Sequence, residues 1–323
     1  MMSRTPLRIT FVGGGTDMPA YYKKYGPGAS ISCTINKYVY VSVHKRFDDK
    51  IRVSYSKTEL VDSPDEIENR PVREALKYLG IKKGIEIYHM ADVPSGGTGL
   101  GSSSSFIVGL LNVLHAWKGE NATPRQLAEE AVEIEREMLN EPGGKQDQYA
   151  AAFGGFNLFE FKKNDDVSIS KIRLSKESWK LLQKHLLLLY TGTEKSNSGV
   201  HRKMEKTVEE NVGTYKSMVE LCYKMFDDLS KNNIMSTGEY MHRNWQLKKT
   251  THGLKIRMID EYYRKGILAG AEGGKMIGAG NRGFLLFFSK PSSHKKIKAA
   301  LKFLRPEPLI LTDEGSKIIY KED

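Results

Sequence analysis

The chain of 323 residues lacks the features that mark membrane, secreted and zinc-binding proteins. It has only two cysteines, Cys33 and Cys222, and both lie in apolar surroundings, which favours buried thiols over a disulfide framework or a metal site. No stretch approaches the ~20 apolar residues of a membrane-spanning helix, and the first residues lack the apolar region of a signal peptide. We therefore expect a cytoplasmic protein that does not bind a membrane.

The sequence also lacks any array of alternating basic and aromatic residues. Fifty Lys and Arg stand against 39 Asp and Glu, so the formal net charge is +11 and favours anionic partners. The basic residues are nevertheless scattered, and small clusters such as Lys82-Lys83, Lys248-Lys249 and Lys295-Lys296 are typical of solvated faces. We expect a phosphorylated small molecule as the anionic partner, and no nucleic acid.

Hydrophobic residues make up 39% of the chain, which is enough for a large core, and the length fits two domains better than one or three. The first half alternates strand-like and helix-like segments. A buried strand at 186–190 and a long charged amphipathic helix at about 200–231 follow. We predict a division into residues 1–177 and 178–323, with an extensive interface because no Pro-rich linker separates them.

Periodicity and turn residues predict the individual elements. A tight turn at Asn36-Lys37 is expected to join strands at 29–35 and 38–45. Thr123 and Pro124 have the pattern of a helix start, so that a helix is expected to run to about Asn140. The remaining predicted elements are strands at 7–12, 85–90, 155–161, 167–172 and 284–288, and helices at 102–117, 238–250 and 255–265.

The most informative segment is a glycine-rich turn followed by four serines, at 94–105. Four glycines within six positions allow positive φ and close approach of a ligand, and the serines stand where a helix exposes unpaired amide groups. Such a helix start attracts phosphate. The segment is neither a Walker loop, which needs Lys where Ser102 stands, nor a dinucleotide fingerprint, which needs glycine there. A mobile surface loop is the alternative.

One carboxylate of the helix at 124–140 is predicted to face inward. At about 100° per residue, Glu135 falls inside the apolar stripe, whereas the other carboxylates fall on the opposite side. The stripe consists of Leu127, Ala128, Ala131, Ile134 and Met138, and the outward carboxylates are Glu129, Glu130, Glu133 and Glu137. An inward carboxylate is costly unless it binds a cation, so Glu135 is either a metal ligand or a boundary residue paired with a lysine.

Two further acids follow glycine turns. Asp147 comes after the glycines at 143–144 and before an apolar run, where it could cap a helix or act as a general base. Asp17 comes after the three glycines at 13–15, where it could cap a turn or bind sugar hydroxyls. The residues by themselves leave both alternatives open for each acid.

Three motifs together resemble those of the GHMP small-molecule kinases, and they span nearly the whole chain. They are Arg4-x-Pro6-Leu7-Arg8 with Gly13-Gly14-Gly15-Thr16-Asp17, then Pro94-x4-Gly99-Leu100-Gly101-Ser102-Ser103-Ser104, then Gly278-Ala279-Gly280. The triple glycine differs from the Gly-Glu-His-Thr-Asp form of galactokinases. It is similar to the form found in D-glycero-D-manno-heptose 7-phosphate kinases and their fucokinase-like relatives, and Tyr21-Tyr22 before Gly26 strengthens the likeness to the heptose kinases.

The resemblance implies a two-domain α+β fold, in which an N-terminal mixed-sheet α/β domain and a ferredoxin-like α+β domain enclose the active site. Asp147 matches the catalytic aspartate of the family and Arg8 the basic residue that supports it. Ser103 and Glu135 match the magnesium ligands. Implied nucleotide contacts are Pro94, Gly96, Gly97, Thr98, Gly99, Leu100, Gly101, Ser102, Ser103 and Ser104. Implied substrate contacts are Asp17, Thr16, Gly14, Gly15, Gly278 and Gly280.

The resemblance also implies a function. It predicts an ATP- and Mg²⁺-dependent kinase, a monomer or homodimer, that phosphorylates the anomeric hydroxyl of D-glycero-D-manno-heptose 7-phosphate. The product would be the 1,7-bisphosphate, used in the synthesis of nucleotide-activated heptose. Lys275 and Arg282 are candidates for additional positive charge near a phosphate. The alternatives are another GHMP sugar kinase, such as a fucokinase-like enzyme, and a non-catalytic sugar or nucleotide sensor on the same fold.

Overall fold

The computed structural model of the chain describes residues 1–94, 97–192, 198–251, 257–278 and 283–321. Across these ranges the chain forms two β-sheets surrounded by helices, in the mixed α+β arrangement that the motifs imply. No helix in the described ranges is long and apolar enough to cross a bilayer.

The strands of the described residues alternate with helices in the first half and gather near the C-terminus in the second. They are β1 Met2–Gly13, β2 Gly28–Lys45, β3 Ile51–Ser54, β4 Thr58–Val61, β5 Ile85–Ala91, β6 Phe156–Phe161, β7 Val167–Lys171, β8 Leu186–Gly192, β9 Gly273–Met276, β10 Gly283–Phe288, β11 Arg305–Glu307, β12 Leu311–Thr312 and β13 Lys317–Tyr320.

The α-helices differ widely in length, from one turn to five. They are α1 Pro19–Tyr22, α2 Arg70–Tyr78, α3 Ser102–Trp117, α4 Pro124–Glu133, α5 Gln146–Phe153, α6 Lys176–His185, α7 Ser198–Lys206, α8 Val212–Ser230, α9 Thr237–Thr251, α10 Arg257–Leu268 and α11 His294–Ala300. A π-helical turn, Ile134–Met138, continues α4 directly. Short 3-10 turns lie at Pro64–Glu66, Glu209–Asn211 and Pro291–Ser293.

The first sheet follows the order β13-β1-β2-β5-β3-β4, and β6 and β12 also pair with β2. Its pairs are antiparallel except β3 with β5. Helix α3 packs on β1 and β2, and twelve of its sixteen residues are buried. The strand Ile85–Ala91 and the helix Ser102–Trp117 confirm the elements predicted on either side of the glycine-rich segment.

The predicted turn at Asn36-Lys37 is wrong, because β2 runs through it as one strand of 18 residues. The register with β1 shifts at this point, so the two residues form a bulge. The Asn36 amide donates to the Ile310 carbonyl at 2.8 Å, and the Ile310 amide donates to Asn36 Oδ1 at 3.0 Å. The hydrogen bond that a local turn would have given the Asn36 amide is therefore made with a distant segment of the chain.

The single helix predicted at 200–231 is also wrong, since α7 and α8 are separate helices joined by a 3-10 turn. Side chains compete with the helical backbone at the junction. The Thr207 hydroxyl donates to the Lys203 carbonyl at 3.1 Å, and Asn211 Nδ2 donates to the Thr207 carbonyl at 2.8 Å. Amphipathic periodicity continues across such a break and does not reveal it.

The second sheet follows the order β11-β8-β10-β9 and is antiparallel. The edge strand β9 was missed, because its sequence begins with two glycines. Helix α9 packs on β9 and also reaches β1 of the first sheet. The division at 177/178 remains a prediction, and the structure adds that β12 and β13 return to pair with β2 and β1.

Candidate active site

A cavity of about 390 Å³ lies between elements of both sheets, with β1 and α3 on one side and α9 and β9 on the other. The structure brings to its wall most of the residues that the motifs implicate. They are Arg8, Gly14, Gly15, Asp17, Gly97, Gly99, Gly101, Ser102, Ser103, Ser104, Glu135, Asp147 and Gly278. Residues separated by up to 270 positions in sequence therefore meet at one site.

Some of the implicated residues do not line this cavity. Thr16 is turned away from it, because its hydroxyl donates to the Ala29 carbonyl at 2.7 Å and accepts from the Ala29 amide at 3.1 Å. Its expected substrate contact is therefore not supported by its position. Pro94, Thr98 and Leu100 are also absent from the wall of the cavity. Gly96, Gly280 and Arg282 lie outside the described residues.

The start of α3 supplies backbone amides to the cavity. Gly101 precedes the helix with φ +76°, and no side chain caps the first amides, so these groups remain available to an anion. A Cβ on Gly99 would lie 2.5 Å from the Ile277 carbonyl, and one on Gly278 would lie 2.3 Å from the Gly99 Cα. The second and third glycine motifs therefore touch each other, and a side chain at either position would push the glycine-rich loop out of place.

Glu135 reaches the cavity from the π-helical turn. The helix starts as predicted, with Thr123 Oγ1 accepting from the Gln126 amide at 3.2 Å. The wider π turn changes the angular positions near its end, and Met138 is 37% exposed although the helical stripe had placed it inward. Glu135 itself is buried, at 5% exposure, as its position in the stripe predicted.

The carboxylate of Glu135 has neutral hydrogen-bond donors around it. Ser104 Oγ donates to its Oε2 at 2.8 Å, and Gln148 Nε2 donates to the same oxygen. In the described part of the chain no Lys or Arg forms an ion pair with it, so the lysine-paired alternative is not observed. Burial raises the pKa of Glu135, and the nearby Arg136 opposes that rise only in part.

These surroundings fit a divalent cation with oxygen ligands. The described ranges contain no group of three or more His, Cys, Asp or Glu that could hold a metal by itself. Mg²⁺ does not need one, because it commonly binds one or two carboxylates together with waters and substrate phosphates. Glu135 and the Ser103 hydroxyl line the same cavity and are of the required chemical type.

Asp147 forms a bidentate ion pair with Arg8. Arg8 Nε donates to Oδ1 at 2.8 Å and Nη2 donates to Oδ2 at 2.7 Å, while Nη1 donates to the Gly99 carbonyl at 2.6 Å. The Arg8 side chain is only 5% exposed, whereas that of Asp147 is 25% exposed and faces the cavity. Arg8 therefore orients the carboxylate and links it to the glycine-rich loop through the Gly99 carbonyl.

Asp147 lies in the first turn of α5 and does not cap it, since Lys145 occupies the capping position and makes no capping bond. The preceding loop is held from two sides. Arg136 Nη1 donates to the Glu141 carbonyl at 2.8 Å. Lys145 Nζ donates to Asp165 Oδ1 at 2.6 Å, and Tyr22 donates to the same oxygen at 2.5 Å. Sequence reasoning did not find these anchors, because nothing in the local sequence marks Asp165.

Asp17 connects the first glycine motif to α5. Its Oδ1 accepts from the Gly15 amide at 2.8 Å and its Oδ2 accepts from the Gln146 amide at 3.2 Å. A Cβ on Gly144 would lie 1.8 Å from Oδ2, so only glycine fits there. Asp17 therefore caps a turn, as one alternative predicted, and it also lines the cavity, while its contact with sugar hydroxyls stays a prediction.

Two buried lysines complete the wall on the side of the second sheet. Lys248 on α9 is 4% exposed and donates through Nζ to the Gly278 carbonyl, and Lys275 on β9 is 1% exposed. Burial lowers the pKa of Lys248 to about 8 and that of Lys275 well below its ordinary value. The pair Lys248-Lys249 is typical of a solvated face in the sequence, and for Lys248 that prediction is wrong.

Comparison with known proteins supports the motifs. Residues 69–155 match the GHMP kinases N terminal domain and residues 225–305 match the GHMP kinases C terminal family. A D-glycero-alpha-D-manno-heptose 7-phosphate kinase of Campylobacter jejuni is 30% identical over 93% of this chain and 92% of its own length.

Solved structures share the fold over almost the whole chain. The crystal structure of a D-glycero-D-manno-heptose 1-phosphate kinase from Bacteriodes thetaiotaomicron superposes with a TM-score of 0.81 and 24% identity, and covers 99% of both chains. Lactococcus lactis galactokinase complexed with galactose superposes with a TM-score of 0.78 and 16% identity, and covers 98% of this chain and 94% of its own. Family matches, whole-length relatives and the residues around the cavity agree. The chain belongs to the GHMP kinase family and is an ATP-dependent phosphotransferase that uses a hydroxyl group as acceptor.

Proposed function

We propose that this protein phosphorylates the anomeric hydroxyl of D-glycero-D-manno-heptose 7-phosphate and produces the 1,7-bisphosphate, for the synthesis of nucleotide-activated heptose. The observation that carries the proposal is the Asp147–Arg8 pair, whose carboxylate faces the cavity beside the uncapped start of α3. The choice of acceptor is supported by the Campylobacter jejuni heptose 7-phosphate kinase, which is similar over nearly the whole chain.

The proposed step is an in-line transfer from ATP. The acceptor oxygen forms a bond to the γ-phosphorus, and the bond from that phosphorus to the β–γ bridging oxygen breaks, so that ADP leaves. The proton of the acceptor hydroxyl passes to the Asp147 carboxylate as the new bond forms. Both carboxylate oxygens accept a hydrogen bond from Arg8, yet each oxygen keeps a second lone pair that can receive the proton.

The start of α3 is the proposed cradle for the ATP phosphates. The residues proposed to contact them are those from Gly97 to Ser104 that line the cavity. Ser103 and Glu135 are the proposed magnesium ligands, and the bound cation would offset the negative charge of the phosphates during transfer. Asp17 and the backbone of Gly14 and Gly15 are the proposed contacts for acceptor hydroxyls, because they line the side of the cavity next to α5.

The direct test is to incubate the protein with ATP, Mg²⁺ and a panel of acceptors, and to locate the new phosphate by phosphorus NMR. The panel contains D-glycero-D-manno-heptose 7-phosphate, the unphosphorylated heptose, L-fucose, D-galactose and D-mannose 6-phosphate. We expect rapid conversion of the heptose phosphate, with a phosphorus signal split by the proton on the anomeric carbon. An Asp147→Asn variant is the control for a contaminating kinase.

Each other outcome has a distinct meaning. Faster conversion of fucose would make the protein a fucokinase-like enzyme with the same machinery. A phosphate on any hydroxyl other than the anomeric one would refute the proposed regiochemistry. Binding of sugar and nucleotide without conversion of any acceptor would favour the sensor alternative.

A further inference from the structure

Lys248 and Lys275 are lysines with which no carboxylate in the described part of the chain forms an ion pair. Both line the cavity and both are almost completely buried. The described contact of Lys248 Nζ is a neutral carbonyl, that of Gly278. A buried ammonium group is costly unless an anion or several hydrogen bonds compensate for its lost hydration.

The charges around the two lysines leave an excess of positive charge. Arg8 and Asp147 neutralise each other in their bidentate pair. Asp17 is the one further carboxylate that acts on Lys248, and it is already bonded to two backbone amides. Lys248 and Arg8 place further positive charge near Lys275. The buried thiol of Cys222 has the opposite effect on the pKa of Lys275. A dianionic ligand group would balance this arrangement better than a neutral one.

The position of the lysines favours the acceptor over the nucleotide as the source of that group. The amides and serines proposed for the ATP phosphates belong to α3, on the wall formed by the first sheet. The lysines come from α9 and β9 on the opposite wall. The carboxylates that act on Lys248 are Asp17 and Asp147, next to the proposed acceptor, and not Glu135 at the proposed metal site.

Helix α9 is attached to the acceptor side of the cavity. Asn244 Oδ1 accepts from the Gly13 amide at 2.8 Å, so the helix is held directly against the first glycine motif. Lys248 is four residues further along α9 and therefore lies on the same face, one turn away. The helix thus presents a cation beside the backbone turn that is proposed to hold acceptor hydroxyls.

We infer that Lys248 and Lys275 form a binding site for the phosphate group that the acceptor carries before the reaction, and that they select phosphorylated over unphosphorylated sugars. The inference rests on the proposed function, because it assigns residues to one part of the proposed acceptor. It adds a reason why a kinase cavity would bury two lysines on α9 and β9, the elements across the cavity from the start of α3.

The test compares Lys275→Met and Lys248→Met with the parent protein, using heptose 7-phosphate and the unphosphorylated heptose as acceptors. Methionine keeps the length and apolar stem of lysine while it removes the charge. We expect kcat/KM for the phosphorylated acceptor to fall roughly ten- to a hundredfold, as for loss of a charge-assisted hydrogen bond. The value for the unphosphorylated heptose and the KM for ATP should stay within about twofold. Lys249→Met is the matched control, since Lys249 is adjacent, pairs with Asp260 at 3.1 Å and does not line the cavity.

Equal losses for both acceptors, or a raised KM for ATP, would overturn the inference and assign the lysines to the transferred phosphate. If the parent protein phosphorylates sugars without preferring the phosphorylated ones, the inference fails while the sugar kinase proposal stands.

Inorganic phosphate provides a measurement that does not depend on turnover. We expect it to raise the melting temperature of the parent protein and of Lys249→Met, and to have a much smaller effect on Lys275→Met. An equal shift in all three would contradict the site. Folding of Lys275→Met is expected, because an apolar side chain there removes a costly buried charge.

Discussion

Glu135 and Asp147 are two carboxylates that reach the same cavity from neighbouring helical segments, and their surroundings differ sharply. Glu135 is buried among neutral donors, and burial raises its pKa. Asp147 is a quarter exposed and is held at both oxygens by Arg8. Glu135 has no ion-pair partner among the described residues. Asp147 has Arg8 as its partner and is also open to the cavity.

The two environments suit two different functions of a carboxylate in a kinase, metal binding and proton transfer. A carboxylate that binds a metal gains from having no competing cation, since the metal itself compensates for its burial. A carboxylate that accepts a proton must be fixed in direction and accessible to the acceptor. The surroundings of Glu135 therefore favour the proposed metal binding and those of Asp147 the proposed proton transfer, and substitutions at the two positions should have different effects.

Asp147→Asn should have the largest effect. Loss of the proton acceptor is expected to lower kcat by about 10²- to 10⁴-fold, while the affinity for ATP, measured by calorimetry, stays close to that of the parent. Asp227→Asn, an exposed carboxylate on α8, is the control and should leave kcat unchanged. Turnover near the parent value in Asp147→Asn would falsify the assignment of the base.

Glu135→Gln should act on the metal requirement. The amide keeps the shape of the side chain and its bond with Ser104 but loses the charge, so we expect the Mg²⁺ concentration for half-maximal activity to rise roughly tenfold. Glu137→Gln, two residues away and exposed, is the matched control. A magnesium titration of Glu135→Gln that coincides with that of the control would exclude Glu135 as a ligand.

Asp165→Asn tests whether the direction of Asp147 depends on the loop before it. The variant weakens the bonds to Lys145 and Tyr22, and asparagine tolerates the positive φ of +73° at this position. We expect kcat to fall about tenfold, since small misplacements of a catalytic group are costly, and the KM for ATP to stay unchanged. Asp166→Asn changes the adjacent, half-exposed carboxylate, and an equal loss in that variant would count against a positioning role.

The sequence predicted those parts of the site that local periodicity encodes. The inward position of Glu135 followed from its angle on the helix, and the glycine-rich turn lay between a recognisable strand and helix. The role of Arg8 was predicted only by the family resemblance, because no pattern in the neighbouring sequence marks a basic residue on a buried strand as functional. The role of each of these residues remains a proposal, although the structure brings them together.

Other features depend on contacts between distant segments, which local patterns do not contain. Asn36 does not form a turn because it is hydrogen-bonded to Ile310. Met138 is exposed because the helix widens into a π turn. Lys248 and Lys249 look identical in sequence, yet one faces the cavity and the other pairs with Asp260. For Asn36 the partner lies in a distant segment of the chain, for Lys248 it is the carbonyl of Gly278, and for Met138 it is the local widening of the helix that decides its exposure.

Glu135→Gln should also change the pH dependence of folding in metal-free buffer. Because the folded state raises the pKa of Glu135, this group favours folding most below its ordinary pKa of about 4.5 and loses that contribution as pH rises. Relative to the parent, the variant is therefore expected to gain unfolding free energy as the pH rises above about 4.5, measured with urea. Saturating Mg²⁺ should reduce this gain, and a difference that stays flat with pH would contradict the raised pKa.

Thr123→Ala should have the smallest effect and should separate the start of α4 from the carboxylate near its end. Thr123 caps the helix through the Gln126 amide, so its loss is expected to cost about 1 kcal/mol of unfolding free energy. Ser175→Ala removes the equivalent cap of α6, where Ser175 Oγ accepts from the Ser178 amide at 3.1 Å, and should cost a similar amount. The magnesium requirement should stay unchanged in both variants, because Ser104 and Gln148 hold Glu135 independently of the helix start. A raised requirement in Thr123→Ala alone would mean that the position of Glu135 is set by the whole of α4 rather than by its contacts at the cavity.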